Sequence, residues 1–277
     1  YTQTKRRLFT YIAAEGHAVL NVDDPTGRRF AQDLVGERVV TYAVEHPALV
    51  RAREILCSWD ETTLVIDSPW GTWPLRTPLI GRHNVPNVVA ACGTCLSLGI
   101  PPTAIRAALE EFQPVPGRME RIPNDLDIHA VVDYAHTADA LRLVLLALRE
   151  LVSGRLIVVF GCGGDRDRTK RPAMGQVASL LADAVVLTSD NPRCEEPMEI
   201  IRQIKSGFVP GFREYQTVVD RDQAIATALA MARAGDVVLV AGKGHETSQV
   251  FDRSTVPFSD RQIIEQVLAT RHSVAMV

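Results

Sequence analysis

Ala184-Val185-Val186-Leu187-Thr188-Ser189-Asp190-Asn191-Pro192-Arg193-Cys194-Glu195-Glu196-Pro197 is the stretch on which the reading of this chain turns. Its first four residues are an apolar run of strand length, and Met198 to Gly207 has the apolar spacing of a helix. The polar residues between them therefore form a loop at the carboxyl end of a buried strand, the edge at which open α/β sheets bind ligands. Asp190 can accept from an ammonium, Asn191 carries a two-way amide, and Arg193 offers a planar fork for a carboxylate. Together they match one zwitterionic end of an amino acid. Taken alone, Asp-Asn-Pro is also ordinary turn chemistry and a single Arg a solvated charge. The weight of the loop comes from its neighbours.

Working outward, strands and helices alternate on both sides of it. Ile128 to Tyr134, Leu156 to Phe160, a short Val218-Val219 and Val237 to Ala241 read as strands; Ala138 to Leu151, Arg171 to Ala182, Asp222 to Arg233 and Ser259 to Ala269 read as helices. That rhythm predicts an α/β domain with a doubly wound, Rossmann-like, mostly parallel sheet. Gln113-Pro114-Val115-Pro116-Gly117 is the best boundary in the chain, which places one domain at 1–116 and the other at 117–277.

The first part is β-rich with short helices. Tyr1 to Ala14 reads as the end of a helix, Gly16 to Val22, Val39 to Val44 and Leu64 to Asp67 as strands, and Trp70 to Leu75 as a hairpin. A turn at Asp23 to Gly27 starts a short helix through Leu34, Val88 to Leu98 is a small-residue helix opened by Gly81 to Asn87, and Thr103 to Phe112 is a second. Cys92 and Cys95 have redox spacing but lie inside an Ala-rich helix with no second pair, so both read as core packing.

The 277 residues suffice for one large or two ordinary domains. Apolar content of 46%, charged content of 23% and a net charge of -3 give no reason to expect nucleic acid or an anionic membrane as partner. No apolar run approaches the ~20 residues of a membrane span. Five scattered cysteines argue for a reducing compartment, by default the cytoplasm. The chain starts at Tyr1 inside an ordered-looking segment, which suggests a piece of a longer protein.

Four loops follow strands in the second part: Asp133 to Thr137, Gly161 to Arg168, Asp190 to Arg193 and Gly242 to Glu246. A parallel sheet would bring all four to one edge. Gly161-Cys162-Gly163-Gly164 is a poor dinucleotide fingerprint, and Gly242-Lys243 is followed by Gly244 where a Walker A sequence needs Ser or Thr. No triphosphate cradle is evident.

Seven motifs, in order, resemble those of MurE-type Mur ligases, which add 2,6-diaminopimelate to the peptidoglycan stem peptide. They are Lys5 to Phe9, Gly81-x-x-Asn84-x-x-Asn87, Pro116 to Glu120, Asp133 to Leu141, Gly161 to Pro172, Asp190-Asn191-Pro192-Arg193 and Ala241 to Glu246. The resemblance implies that residues 1–116 are the end of the central ATPase domain, without its P-loop, and that 117–277 is the carboxyl-terminal domain. It further implies ATP and Mg²⁺ as cofactors, with meso-diaminopimelate and UDP-MurNAc-dipeptide as small-molecule substrates. Lys5, the position the family carbamylates, and His136 match catalytic positions, Lys5 also touching the metal if carbamylated. Asn84 and Asn87 would lie near the adenine, Asp133 near the ribose and Arg118 at the phosphates. Arg166, Asp190, Asn191, Pro192, Arg193, Gly242 and Glu246 match the amino-acid site. Ala138, His83 and Ser248 depart from the family's usual residues. The alternatives are a lysine-adding ligase, another superfamily member such as a folylpolyglutamate synthetase, a non-catalytic binding module lacking the P-loop, and a plain structural α/β domain.

Overall fold

A computed structural model describes residues 2–13, 15–34 and 38–275. The chain divides into two compact units, Tyr1–Gln113 and Pro114–Val277, each with its own sheet.

In the first unit a short helix α1 (Thr2–Arg6) runs into a 3-10 turn, Arg7–Tyr11. Tyr1 and Ala14, the ends of the helix expected there, lie outside the described residues. The sheet follows the order β1 (Ala18–Asn21), β2 (Val39–Ala43), β3 (Val50–Cys57), β4 (Thr62–Ser68), β5 (Gly71–Thr77), parallel as far as β3 and antiparallel beyond. Helix α2 (Pro25–Asp33) starts where the Asp24 carboxylate accepts from the Thr26 and Gly27 amides, with Pro25 at the first helical position. Asp23 takes the amides of Val44, Glu45 and His46 and so closes the turn after β2. Helix α3 (Val85–Ser97) lays Val85, Val88, Val89, Cys92 and Leu96 on Val40, Val50, Leu64, Ile66 and Leu75, while α4 (Pro102–Glu110) adds Ile105. Burial in that core pushes the Cys92 thiol up to about 12.

In this unit two elements, β3 and the hairpin, differ from the sequence reading. Strand β3 was not expected, because a bulge between Arg53 and Leu56, with Glu54 at φ 51°, breaks the alternation by which a half-buried strand is recognised. The hairpin expected at Trp70 to Leu75 is β4 and β5 turning at Pro69-Trp70; Pro74 is tolerated because β5 is an edge strand.

The second unit holds a six-stranded sheet. Its members are β6 (Glu120–Ile122), β7 (His129–Asp133), β8 (Leu156–Phe160), β9 (Ala184–Leu187), β10 (Tyr215–Thr217) and β11 (Val237–Ala241). Their order is β10-β9-β8-β11-β7-β6, and every pairing is parallel except β6 with β7. Every residue of β8, β9 and β11 is buried, as strands covered on both faces must be. Helices α8 (Arg221–Met231) and α9 (Asp260–Ala275) share one core with Ala130, Val132, Ile157, Val159, Val186, Val238 and Val240. Residues alternating with these, such as Leu156, Val158 and Phe160, are equally buried, and α5 (Ala138–Arg149) and α6 (Lys170–Leu181) pack on β8 and β9. Helix α7 (Pro197–Lys205) packs on α6, and the hairpin β12 (Ser248–Phe251) and β13 (Ser254–Pro257) stands apart from the main sheet. This is the doubly wound, mostly parallel fold expected. The strand expected at Val218-Val219 is instead Tyr215–Thr217; it and β6, β12 and β13 are only three or four residues long, too short to print a period.

The α6–α7 contact depends on a close approach. A β-carbon at Gly175 would stand 2.0 Å from the Ile204 carbonyl oxygen, and neither backbone can give way without moving its helix. Gly175→Ala is expected to lower stability by about 2–3 kcal/mol in urea unfolding followed by circular dichroism. A change within experimental scatter would contradict that packing.

Candidate active site

Strands β7, β8, β9 and β11 run parallel, so the loops that leave their carboxyl ends share one edge of the second unit. Behind that edge the Arg221 guanidinium makes a two-point ion pair with Asp260, Nε to Oδ1 at 2.7 Å and Nη2 to Oδ2 at 2.8 Å, both side chains fully buried. Nη2 also donates to the Ala241 carbonyl at 3.1 Å, which fastens the last residue of β11 to the starts of α8 and α9. Burial opposes the charge on Arg221, but Asp260, Asp190 and Glu246 together hold its pKa above the ordinary value.

Above this pair lie the loops after β9 and β11. Asp190 and Asn191 are buried, at 9% and 6% exposure. The Asn191 Oδ1 accepts from Lys243 Nζ at 3.0 Å and from the Val250 amide at 2.9 Å, so its Nδ2 must face the other way, where it donates to Glu246 Oε2 at 2.9 Å. Lys243 Nζ donates to the same Glu246 oxygen at 2.9 Å. Burial alone would push the Glu246 carboxyl up; the hydrogen bonds from Lys243 and Asn191 outweigh it and hold the pKa below the usual value. Asp190 uses Oδ1 on the Asn191 amide at 2.7 Å. Its Oδ2 would be 2.9 Å from a β-carbon at Gly242, whose φ of 116° also excludes other residues. Gly242 is thus required both by its backbone and by the carboxylate beside it.

Arg193 is half-buried and sits at φ 50°. Its Nη1 donates to the Gly164 carbonyl at 2.9 Å and its amide to the Val250 carbonyl at 3.1 Å, so the side chain leans on the loop after β8. Its Nε and Nη2 have no hydrogen bond among the described residues. Pro192 is buried and its carbonyl accepts from the Glu195 amide. Arg166 lies on the loop after β8, exposed, with Nη1 on the Asp165 carbonyl at 3.0 Å. The two loops are pinned together by Glu195, which takes both Arg171 amino groups at 2.9 Å and the Asp165 amide at 2.7 Å, while Arg171 also donates to the Gly163 carbonyl.

At the end of β7 the buried Asp133 accepts from the Met119 amide at 2.8 Å and the Ala135 amide at 2.7 Å. It thereby tethers the Gly117 to Glu120 segment, and burial raises its pKa despite these bonds. Arg118 is exposed, with its guanidinium 4.7 Å from the Tyr134 ring centre. His136 is exposed; its Nδ1 lies 2.8 Å from the Tyr134 carbonyl, its carbonyl takes Lys170 Nζ at 2.7 Å, and its ring meets Tyr134 edge-on. His245 also lies against Tyr134.

The structure thus gathers Asp190, Asn191, Pro192, Arg193, Gly242 and Glu246 into one connected cluster with the Arg166 loop beside it, and a second group of Arg118, Asp133 and His136 along β7. Lys5, Asn84 and Asn87 belong to the first unit. Lys5 is exposed near the end of α1; Asn84 donates to the Ile80 carbonyl at 2.8 Å and its Oδ1 accepts from Asn87 Nδ2 at 3.3 Å. Sequence reasoning missed Lys243, Arg221 with Asp260, and Arg171 with Glu195. The available signal was a charge placed directly against an apolar element: Lys243 two residues past a five-residue apolar strand, Arg221 and Asp260 at the first positions of helices.

Comparison with known proteins bears on both units. The family model described as "Mur ligase middle domain" matches residues 1–95, and that described as "Mur ligase, glutamate ligase domain" matches 117–244. A UDP-N-acetylmuramoyl-L-alanyl-D-glutamate--2,6-diaminopimelate ligase of Thermosynechococcus vestitus is 45% identical over 275 residues, covering 98% of this chain and 55% of the relative. The chain therefore spans about half the length of the curated relatives it matches. A solved structure of a ligase of the same name is 36% identical, with a TM-score of 0.66, covering 98% of this chain and 56% of that one. The MurF ligase of Thermotoga maritima, solved in complex with ADP, shares the fold at a TM-score of 0.67 and 18% identity, over 94% of this chain and 55% of its own.

The Arg171 hydrogen bonds are the main cause that draws the Glu195 carboxyl from 4.5 down to about 2. Between those values the unfolded chain binds the proton and the folded one does not, so this carboxylate stabilises the fold fully above about pH 4.5, and the contribution is lost as pH falls toward 2. Glu195→Gln is expected to lower the urea midpoint at pH 7, with the gap to the unsubstituted chain narrowing between pH 4.5 and 2. A pH-independent gap would disprove this.

Proposed function

Because this chain belongs to the Mur ligase family, we propose that it is the carboxyl-terminal part of an ATP-dependent ligase that adds meso-2,6-diaminopimelate to UDP-MurNAc-L-Ala-D-Glu in peptidoglycan synthesis. The observation that carries this reading is Arg193, whose guanidinium rests on the Gly164 carbonyl through one nitrogen, beside the Asp190, Asn191 and Glu246 cluster. An amino acid with a charged group at each end needs a carboxylate acceptor for its ammonium and a guanidinium fork for its carboxylate, and both are present on one sheet edge. Asp190 Oδ2 and Glu246 Oε1 are the acceptors, Arg193 and Arg166 the forks. Pro192 and Gly242 shape the backbone between them.

In the proposed reaction the γ-carboxylate of the D-glutamyl residue attacks the γ-phosphorus of ATP, the bond from that phosphorus to the bridging oxygen breaks, and ADP leaves. The amine of diaminopimelate attacks the acyl phosphate, the C–O bond to phosphate breaks, and an amide forms as the amine loses its proton. The amine must attack as a neutral base, and the protein contributes by positioning and by stabilising charge. Arg118 stacked on Tyr134 suits a nucleotide, an exposed cation for phosphate beside an aromatic face. Asp133 serves the ribose, and Asn84 and Asn87 the adenine. We assign catalytic roles to Lys5 and His136. Among the described residues no three His, Cys, Asp or Glu side chains gather as a metal site. Mg²⁺ takes few protein ligands beside phosphate oxygens and water, and Lys5, once carbamylated, would supply one of them; no step is routed through the metal. No helix among the described residues is long and apolar enough to cross a membrane. On the ground of the five scattered cysteines we place the reaction in the cytoplasm.

L-Lysine lacks the distal carboxylate and would leave Arg193 without its partner, so a site built on that contact rejects it by roughly 10⁴ in kcat/KM. The expected outcome is that the intact ligase carrying this chain turns over ATP with meso-diaminopimelate and not with L-lysine, and that Arg193→Ala lowers kcat/KM for diaminopimelate by about 10²–10³. Equal use of the two amino acids, or full diaminopimelate-dependent turnover in the Arg193→Ala variant, would refute it.

A further inference from the structure

Lys243 stands out among the charged residues of the second unit. Its side chain is fully buried, yet among the described residues its hydrogen bonds go only to Asn191 Oδ1 at 3.0 Å and Glu246 Oε2 at 2.9 Å. An ammonium removed from water is costly unless paired, and an apolar side chain of similar length would fill the same space beside Phe258 without that cost. A lysine kept here for stability alone would have little reason to spend its donors on two side chains that face the ligand edge.

We propose that Lys243 is a positioning residue of the amino-acid site: it holds Asn191 and Glu246 in a single hydrogen-bond sense and presents one donor and one acceptor to the incoming substrate. The geometry enforces this stepwise. With Lys243 Nζ and the Val250 amide both donating to Oδ1, the Asn191 amide cannot flip. Its Nδ2 then spends one hydrogen on Glu246 Oε2 and keeps the other for a ligand. Glu246, receiving Lys243 and Asn191 on Oε2, keeps Oε1 for an ammonium. Replacing the ammonium by an apolar group removes one of the two donors that fix the Asn191 amide, leaving the Val250 amide alone on Oδ1, and takes from the half-buried Glu246 carboxylate its one charged donor, so both side chains are held less firmly toward the substrate.

This inference rests on the diaminopimelate reading, and the test separates the two. In the intact ligase, Lys243→Met is expected to raise the KM for meso-diaminopimelate about 30-fold while the KM for ATP stays within about twofold. Lys243→Gln, which retains a neutral donor, is expected to fall between the two. An unchanged diaminopimelate KM in a folded Lys243→Met variant, or a parallel rise in both KM values, overturns the positioning role and leaves the function reading intact. Failure of both variants to fold assigns Lys243 to stability and overturns it as well. An unsubstituted ligase with no diaminopimelate-dependent turnover overturns the function reading, and this inference with it.

Discussion

The second unit is organised by one buried ion pair, Arg221 with Asp260, at the carboxyl edge of its parallel sheet. Two charges withdrawn from water are tolerated only when paired with good geometry, and a planar guanidinium facing a carboxylate through two nitrogens meets that condition. Each partner is the first residue of a helix, and the Arg also holds the Ala241 carbonyl at the end of β11. Removing either would leave an uncompensated charge directly beneath the candidate site. The pair therefore ties α8, α9 and a central strand to one point.

On that base the charges alternate in depth. Arg221 and Lys243 are fully buried, Asp190 and Glu246 lie over them, and Arg193 and Arg166 stand nearer to solvent. Lys243 and Arg221 below help to hold the Glu246 carboxyl under its usual pKa; the cations at the rim supply a complementary grip. Loops of this kind are commonly mobile, but here most of their polar groups are engaged. Gln249 Nε2 donates to the Asp190 carbonyl at 2.6 Å, and the Arg193 and Val250 backbones bond to each other's loops. The β12–β13 hairpin thereby acts as a strap along the Asp190 to Arg193 segment.

Much of the fold was legible beforehand, and for a physical reason. Strands covered on both faces, such as Leu156 to Phe160 and Val237 to Ala241, must be apolar throughout, so they stand out from the amphipathic helices between them. What escaped were elements whose pairing, not composition, makes them strands. The bulged β3 has no period, and Tyr215–Thr217, Glu120–Ile122 and the β12–β13 hairpin are short edge pieces stabilised by backbone bonds that any side chain permits. In the candidate site, Asp190, Asn191 and Arg193 could be singled out because a parallel sheet brings their loop and three others to one edge, and Glu246 because it matches the family's motif. Lys243 was weighed only as the lysine of an incomplete Walker A sequence, and its full burial, which sets it apart, is a property of the fold.

By itself the sequence determined which residues carry charge at the ends of buried strands, and the motif order that marks the family, because both are properties of composition along the line of the chain. Which of those charges face each other was decided only in three dimensions. Residues 191 and 246 meet because β9 and β11 flank β8 and all three run the same way. The orientation of the Asn191 amide is set by a lysine 52 positions away, a contact that no local pattern encodes. Hydrogen bonds depend on distance in space, and only the folded sheet brings those atoms within 3.0 Å.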